Sequence, residues 1–129
     1  MKYRYNHFHI ICSDLDRTID FFCNTLGAAK LLERQNFGGA EGANLDMAGA
    51  TFSLRLALAK DKITGDSLET RYGYDHLGLE VDNVDETYEV LKAKGVQFSM
   101  PPTALPNIGK KIAFLKGPDN ITIEILHYL

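Results

Sequence analysis

The chain has 129 residues, 45% of them apolar and 24% charged, with a formal net charge of −3. That is enough apolar side chain for one packed core, and the acidic balance argues against a nucleic-acid surface: Lys110-Lys111 and the scattered Lys60, Lys62 and Arg71 make no basic stripe. No run approaches the ~18 continuous apolar residues of a membrane span, and Met1–Asn6 has no signal-peptide apolar core, so a cytoplasmic protein is expected.

In chain order, residues 4–12 alternate as a strand does, with Phe8, Ile10 and Cys12 on one face and His7, His9 and Ile11 on the other. Ser13-Asp14 offers a helix N-cap, Leu15, Ile19, Phe22 and Leu26 recur at helical spacing, and Gly27 ends the helix. Strands are predicted at 29–36, at 43–47 after a Gly-rich turn over 37–42, and at 51–59 after Ala48-Gly49-Ala50. Residues 60–72 are polar and read as a linker. Strand 75–81 then puts Leu77, Leu79 and Val81 on one face and His76, Gly78 and Glu80 on the other. Asn83-x-x-Glu86 reads as a capping box, and Val84, Thr87, Tyr88 and Leu91 form the buried stripe of a helix closed by Gly95. Strands follow at 96–100, 110–116 and 121–127, with Gly117-Pro118-Asp119-Asn120 as the last turn. The stretch 101–109, with three prolines, reads as a stiff exposed loop and a candidate lid. Cys12 and Cys23 stand in apolar settings and read as buried, reduced thiols.

The two halves match at one offset. Moving forward 69 residues takes His7 to His76 and Arg55 to Glu124 (76 − 7, 124 − 55), and Phe52-Ser53-Leu54-Arg55-Leu56 falls on Ile121-Thr122-Ile123-Glu124-Ile125. The expected architecture is α+β: a single domain of module 1 (4–59), linker (60–72) and module 2 (73–129). Each module is βαβββ, and together the sheets form a cupped half-barrel.

Strand parity then selects a face. Phe52, Leu54, Leu56 and Leu58 must cover a helix, which leaves Thr51, Ser53, Arg55 and Ala57 opposite. Ile121, Ile123 and Ile125 pack inward, which leaves Thr122, Glu124 and Leu126 on the face that carries His7 and His76. Two imidazoles and one carboxylate match the ligand set of a facial-triad metal site with open positions, where a metal polarises a substrate oxygen or activates a small molecule. His9 faces the same way but is matched by Gly78 in the repeat, so it reads as a polar lining residue. Glu80 lies roughly 13 Å from His76 along the strand and reads as a solvated rim carboxylate. His127 falls on the packed parity and reads as structural. Gly38-Gly39 lacks the strand-to-helix setting of a phosphate loop.

The runs His7…Ser13-Asp14-Leu15-Asp16-Arg17-Thr18-Ile19-Asp20-Phe21-Phe22…Leu26-Gly27, Tyr74-Asp75-His76-Leu77-Gly78-Leu79-Glu80-Val81-Asp82-Asn83 and Gly117-Pro118-Asp119-Asn120-Ile121-Thr122-Ile123-Glu124-Ile125 resemble the vicinal oxygen chelate superfamily. Among its members they are most like glyoxalase I. The resemblance covers essentially the whole chain. It implies ligand roles for His7, His76 and Glu124 toward one divalent metal ion (Zn, Ni, Mn or Fe). It also implies Glu124 as the catalytic base, and a homodimer.

The departure is Arg55, where glyoxalase I supplies a metal-binding carboxylate or its amide. Arginine stays protonated and only donates, so it cannot ligate. Either Arg55 turns toward an anionic substrate group, or it pairs with Glu124 and replaces the metal.

The resemblance implies a glyoxalase-type lyase or isomerase that acts on vicinal oxygens through an enediolate-like intermediate. The alternatives are a non-haem iron extradiol-type dioxygenase and a ligand-sequestering protein of the bleomycin-resistance type. Arg55, His9, Ser53 and Thr122 are the expected substrate contacts, for a small anionic or polar molecule. No nucleic-acid or membrane partner is expected.

Overall fold

The computed structural model describes residues 1–64, 70 and 72–129, so much of the expected linker lies outside the described residues. The chain forms two compact units, Met1–Gly65 and Asp66–Leu129. Each is a four-stranded mixed sheet with one principal helix, the βαβββ plan expected from the repeat.

Module 1 runs β1 (His7–Cys12), α1 (Leu15–Asp20), β2 (Lys30–Phe37), β3 (Ala40–Met47) and β4 (Ala50–Leu56). The sheet order is β1-β4-β3-β2, with β1 parallel to β4 and the rest antiparallel. Asp14 is the N-cap, its carboxylate accepting from the Arg17 backbone N–H at 3.0 Å. The helix then widens into a π-helical turn over Phe21–Thr25, closed by the Leu26 N–H on the Phe21 carbonyl at 2.8 Å. Its apolar face, Leu15, Ile19 and Phe22, is buried, as are Ala43, Leu45, Phe52 and Leu54 of the sheet. Phe22 and Phe52 meet edge to face at 4.9 Å. Burying side chains of this size contributes about 1.5–3 kcal/mol each.

Module 2 repeats the plan with β5 (Leu77–Glu80), α2 (Val84–Ala93), β6 (Gln97–Leu105), β7 (Lys110–Lys116) and β8 (Thr122–Tyr128), in the order β5-β8-β7-β6. Asn83 caps α2 by accepting from the Glu86 N–H at 3.1 Å. Val84 and Leu91 of α2 and Ala113, Leu115, Ile123 and Ile125 of the sheet are all buried. The predicted structural role of His127 takes a definite form: its Nδ1 accepts the Val84 backbone N–H at 2.9 Å, tying β8 to the first turn of α2.

Four local expectations are corrected. The 101–109 segment is not a lid loop: β6 continues through Pro101-Pro102 to Leu105, and only Pro106–Ile108 forms a short 3₁₀ turn. Proline is tolerated there because β6 is an edge strand and its register with β7 shifts between Met100 and Thr103, a bulge that asks for no N–H from either ring. The first strand of module 2 begins at Leu77 rather than 75, which puts His76 just ahead of β5. Strand β4 stops at Leu56 instead of 59, because the chain beyond it turns back at Leu58–Asp61, where the Asp61 N–H meets the Leu58 carbonyl at 3.0 Å. Cys12 is buried but Cys23 is only half-buried, and neither is in a disulfide.

Candidate metal and substrate site

In module 2 the parallel pairing of β5 with β8 sets Gly78 beside Glu124, and β7 sets Phe114 beside Glu124 on its other side. Glu124 is thus mid-sheet, flanked by a residue without a side chain and by an aromatic ring. His76, immediately before β5, reaches over this point. Its Nε2 lies 3.1 Å from Glu124 Oε2, its Nδ1 lies 2.7 Å from Asp75 Oδ2, and its ring meets Phe114 edge to face at 5.1 Å.

Between two carboxylates, the imidazole can donate from both ring nitrogens when it is protonated. If Nε2 were deprotonated, its lone pair would face the lone pairs of Glu124. The hydrogen bond that Asp75 accepts from Nδ1–H is the largest influence raising the His76 pKa above its ordinary value; burial opposes it and Glu124 adds to it. With Asp75 holding Nδ1–H, Nε2 is the nitrogen left for a metal, in the carboxylate–histidine arrangement that orients metal-bound imidazoles.

Module 1 repeats this device in neutral form. His7 Nδ1 lies 2.7 Å from the side-chain oxygen of Asn6, an amide oxygen that can only accept, so Nδ1 donates and Nε2 is again left available. Asn6 and Asp75 are themselves related by the repeat offset. Neither was singled out from the sequence, although the offset that matched the histidines also matches the residues before them.

Across the module 1 sheet, His7 pairs in register with Thr51, His9 with Ser53 and Ser53 with Asn44, and Arg55 sits between Ile11 and Gly42. Within module 1, Arg55 has two partners. Its Nη1 donates to the Leu56 carbonyl at 2.9 Å and to Asp61 Oδ2 at 3.0 Å, and the same carboxylate oxygen accepts the Leu58 N–H at 2.8 Å. That backbone hydrogen bond, followed by the one from Arg55, holds the Asp61 carboxyl below its ordinary pKa. The arginine thus braces the turn that follows β4.

Ser53 is only 3% exposed, and its hydroxyl donates to Asn44 Oδ1 at 2.7 Å. The Asn44 amide donates in turn to Gln35 at 2.7 Å and Glu33 at 3.1 Å. Next to this ladder, the His9 ring meets Phe37 edge to face at 4.8 Å and His7 at 5.9 Å. Burial, then His7 and Arg55, lower the His9 pKa. In module 2, Thr122 accepts from Lys116 Nζ at 2.8 Å.

Within either module, among the described residues, no three His, Cys, Asp or Glu side chains gather to hold a metal by themselves. Module 2 brings together His76 and Glu124, and module 1 presents His7. No helix among the described residues is long and apolar enough to cross a membrane.

Comparison with known proteins agrees with this picture of the fold. The chain is 30% identical over 126 residues to a protein of Arabidopsis thaliana named "Probable lactoylglutathione lyase, chloroplastic", covering 97% of this chain and 36% of that protein; it thus spans about a third of that relative's length. A glyoxalase family protein from Enterococcus faecalis superposes with a TM-score of 0.80 at 20% identity, over 96% of this chain and 97% of that one. A mutant fosfomycin resistance protein of Listeria monocytogenes, complexed with Mn(II) and 1S,2S-dihydroxypropylphosphonic acid, superposes with a TM-score of 0.71 at 24% identity, over 97% and 90% of the two chains. The model of the glyoxalase/bleomycin resistance protein/dioxygenase superfamily matches residues 4–125, and the chain belongs to that superfamily.

Proposed function

We propose that the protein is a metal-dependent enzyme of the glyoxalase I type, a lyase or isomerase acting on a small substrate with vicinal oxygens. Its donor set is His7, His76 and Glu124, drawn from one chain or from two, and it takes one divalent ion. The observation that carries this reading is the matched pair of histidines, each with Nδ1 held by the side-chain oxygen of the preceding residue, so that Nε2 is the available nitrogen in both. A solvent-exposed structural histidine needs no such tethering. The Mn(II) of the Listeria protein sits in a relative of the same fold; the case for this chain rests on its own donors.

When bound, the metal supplies Lewis acidity toward the substrate's oxygens. The chain supplies the rest. Glu124 is the carboxylate at the site and, once released from the metal, would act as the base for a carbon-bound proton. Phe114, edge to face with His76 and beside Glu124 in register, gives that carboxylate an aromatic neighbour on the β7 side. His9, Arg55, Ser53 and Thr122 serve the substrate unequally: His9 directly, Ser53 through Asn44, Thr122 beside Lys116, and Arg55 only after leaving Asp61. Fewer carboxylates near the metal than in glyoxalase I favour a substrate other than the glutathione hemithioacetal.

A non-haem iron extradiol-type dioxygenase is the second reading, since a two-histidine, one-carboxylate set is sufficient for that chemistry. A ligand-sequestering role of the bleomycin-resistance type is the third reading, in which Arg55, bonded to Asp61 within module 1, would exchange that partner for Glu124. The protein is further proposed to be a cytoplasmic homodimer. Edge strand β2 presents Leu31 and Leu32 to solvent at 44% and 58% exposure, an apolar edge that a second chain would cover. Sedimentation at micromolar concentration should give the dimer mass; a single species of 14.4 kDa across a wide concentration range rejects it.

The function is tested by measuring the metal content of protein purified without chelators, then assaying aerobic and anaerobic samples against α-ketoaldehyde-derived and catecholic substrates. Stoichiometric metal with oxygen-independent turnover supports the lyase. Oxygen-dependent turnover moves the assignment to the dioxygenase, and absence of metal rejects both.

A further inference from the structure

The sheet face of module 1 holds a feature that metal binding does not use. Among the described residues, the buried side-chain polar atom without a hydrogen-bond partner is Nε2 of His9. A buried nitrogen in that state is a standing cost that a ligand's hydrogen bond removes. The residues beside it in register do not remove it, because the Ser53 hydroxyl and the Asn44 carbonyl oxygen are joined to each other and the Asn44 amide is committed to Gln35 and Glu33.

An aromatic ring is placed against the same histidine by an unusual device. A Cβ at Gly42 would stand 2.4 Å from Cδ2 of Phe37 and 2.4 Å from the Leu54 carbonyl oxygen, closer than a Cβ is found to such atoms. Any other residue at position 42 would drive the ring away. Gly42 therefore lets the half-buried Phe37, at the end of β2, fold back across β3 and reach His9. The charged side chains nearest this ring in register are engaged, Arg55 by Asp61 and the Leu56 carbonyl and Glu33 by the Asn44 amide, while Asp46 lies further along β3, in register with Thr51.

We propose that His9, Phe37 and Gly42 form a ligand subsite for an uncharged planar group with hydrogen-bonding capacity, such as a carboxamide conjugated to a ring. The His9 nitrogen recognises its polar edge, the Phe37 ring packs on its plane, and Gly42 fixes where that ring lies. The subsite deepens the reading of His9 as a substrate contact and rests on it, but it needs no metal.

The test uses the full chain, stripped of metal with a chelator, and titrated with benzamide while the His9 side-chain ¹⁵N and Phe37 ring signals are followed by NMR. Saturable shifts of both are expected, with benzoate and benzylammonium weaker by about tenfold or more. His9→Phe should lower benzamide affinity by about tenfold. Gly42→Ala should abolish the Phe37 response. Should Gly42→Ala fail to fold, Phe37→Leu, which removes the ring without touching the backbone, is expected to weaken benzamide to the same degree.

Absence of any saturable shift at His9 overturns the subsite, as does benzamide affinity in His9→Phe equal to that of the unmodified chain. Equal binding of benzoate overturns the assignment of an uncharged ligand. A chain that binds benzamide at His9 yet takes up no metal keeps the subsite and loses the metal reading, so the two failures are separable.

Discussion

The two modules share a backbone plan, a strand order and a parallel outer pair, yet they spend the same positions differently. At the centre of the module 2 sheet, Glu124 accepts a histidine, and that histidine is held from behind by a second carboxylate. At the matching place in module 1, Arg55 turns outward to brace a turn, and His7 is held from behind by a neutral amide. The aromatic neighbour differs in the same way. Phe114 stands directly beside Glu124 in register, whereas beside Arg55 the register position is Gly42 and the ring comes from Phe37 at the end of β2. Duplication has kept what the sheet needs and let the chemistry diverge. Module 2 is built around an acid–base pair, and module 1 around a neutral, hydrogen-bonding surface.

The largest effect should come from what the modules hold in common. Leu54 and Ile123 are related by the repeat offset and both are fully buried, at 0% exposure. Leu54→Ala and Ile123→Ala should each cost about 2–5 kcal/mol in chemical denaturation. If one were tolerated with a loss near zero, the two cores would not be equivalent.

The next effects separate the modules. His76→Ala removes a donor outright and should weaken divalent-metal binding by more than the roughly 10–100-fold typical of changes to a supporting residue, as read by calorimetric titration. Asp75→Asn should itself cost about 10-fold or more, since it removes the charge behind the ligand. Asn6→Asp, the reverse change in module 1, should preserve or tighten binding. Equal responses to Asp75→Asn and Asn6→Asp would erase the distinction between the two histidines.

The smallest effect concerns Arg55. Asp61 has a folded pKa depressed below its ordinary 3.8, so its contribution to stability is fully present above that value and is lost as pH falls through the lower folded value. Acid unfolding of the unmodified chain should therefore show a stability loss below about pH 4 that Asp61→Asn lacks. The pairing also alters what Arg55→Glu can do. Alone it sets two carboxylates side by side at the Leu58–Asp61 turn. Combined with Asp61→Asn, the new carboxylate is relieved of that repulsion, and metal affinity should rise above that of the unmodified chain. Weaker metal binding in the double variant contradicts the electrostatic argument.

Much of this was legible in the sequence, because period-two alternation, Asp14 and Asn83 as caps and the repeat offset all report on local backbone and on one buried face per strand. The pairing of His76 with Glu124 was legible for the same reason: strand parity fixes which side chains share a face. What parity cannot give is the partner of a long side chain. Arg55 was correctly placed opposite the packed face of β4, but its guanidinium follows the chain to Asp61, six residues on, because β4 ends early and turns back. The prolines at 101 and 102 misled because a bulged edge strand, which depends on the neighbouring strand, accepts residues that a regular strand rejects. Gly42 and Phe37 were read as parts of one turn. Only the fold brings the ring back over the glycine and against His9.

The central claim is that His76 offers Nε2 to a metal while Asp75 keeps the proton on Nδ1. The direct measurement is ¹⁵N NMR of the His76 ring, first in metal-stripped protein and then through a titration with Zn(II). Before metal, both nitrogens should be protonated to a higher pH than in an ordinary histidine, as its raised pKa requires. One equivalent of Zn(II) per site should displace the proton from Nε2 alone, with Nδ1 still protonated. Metal that binds while both His76 nitrogens keep their protons, or that binds through Nδ1, would contradict the account.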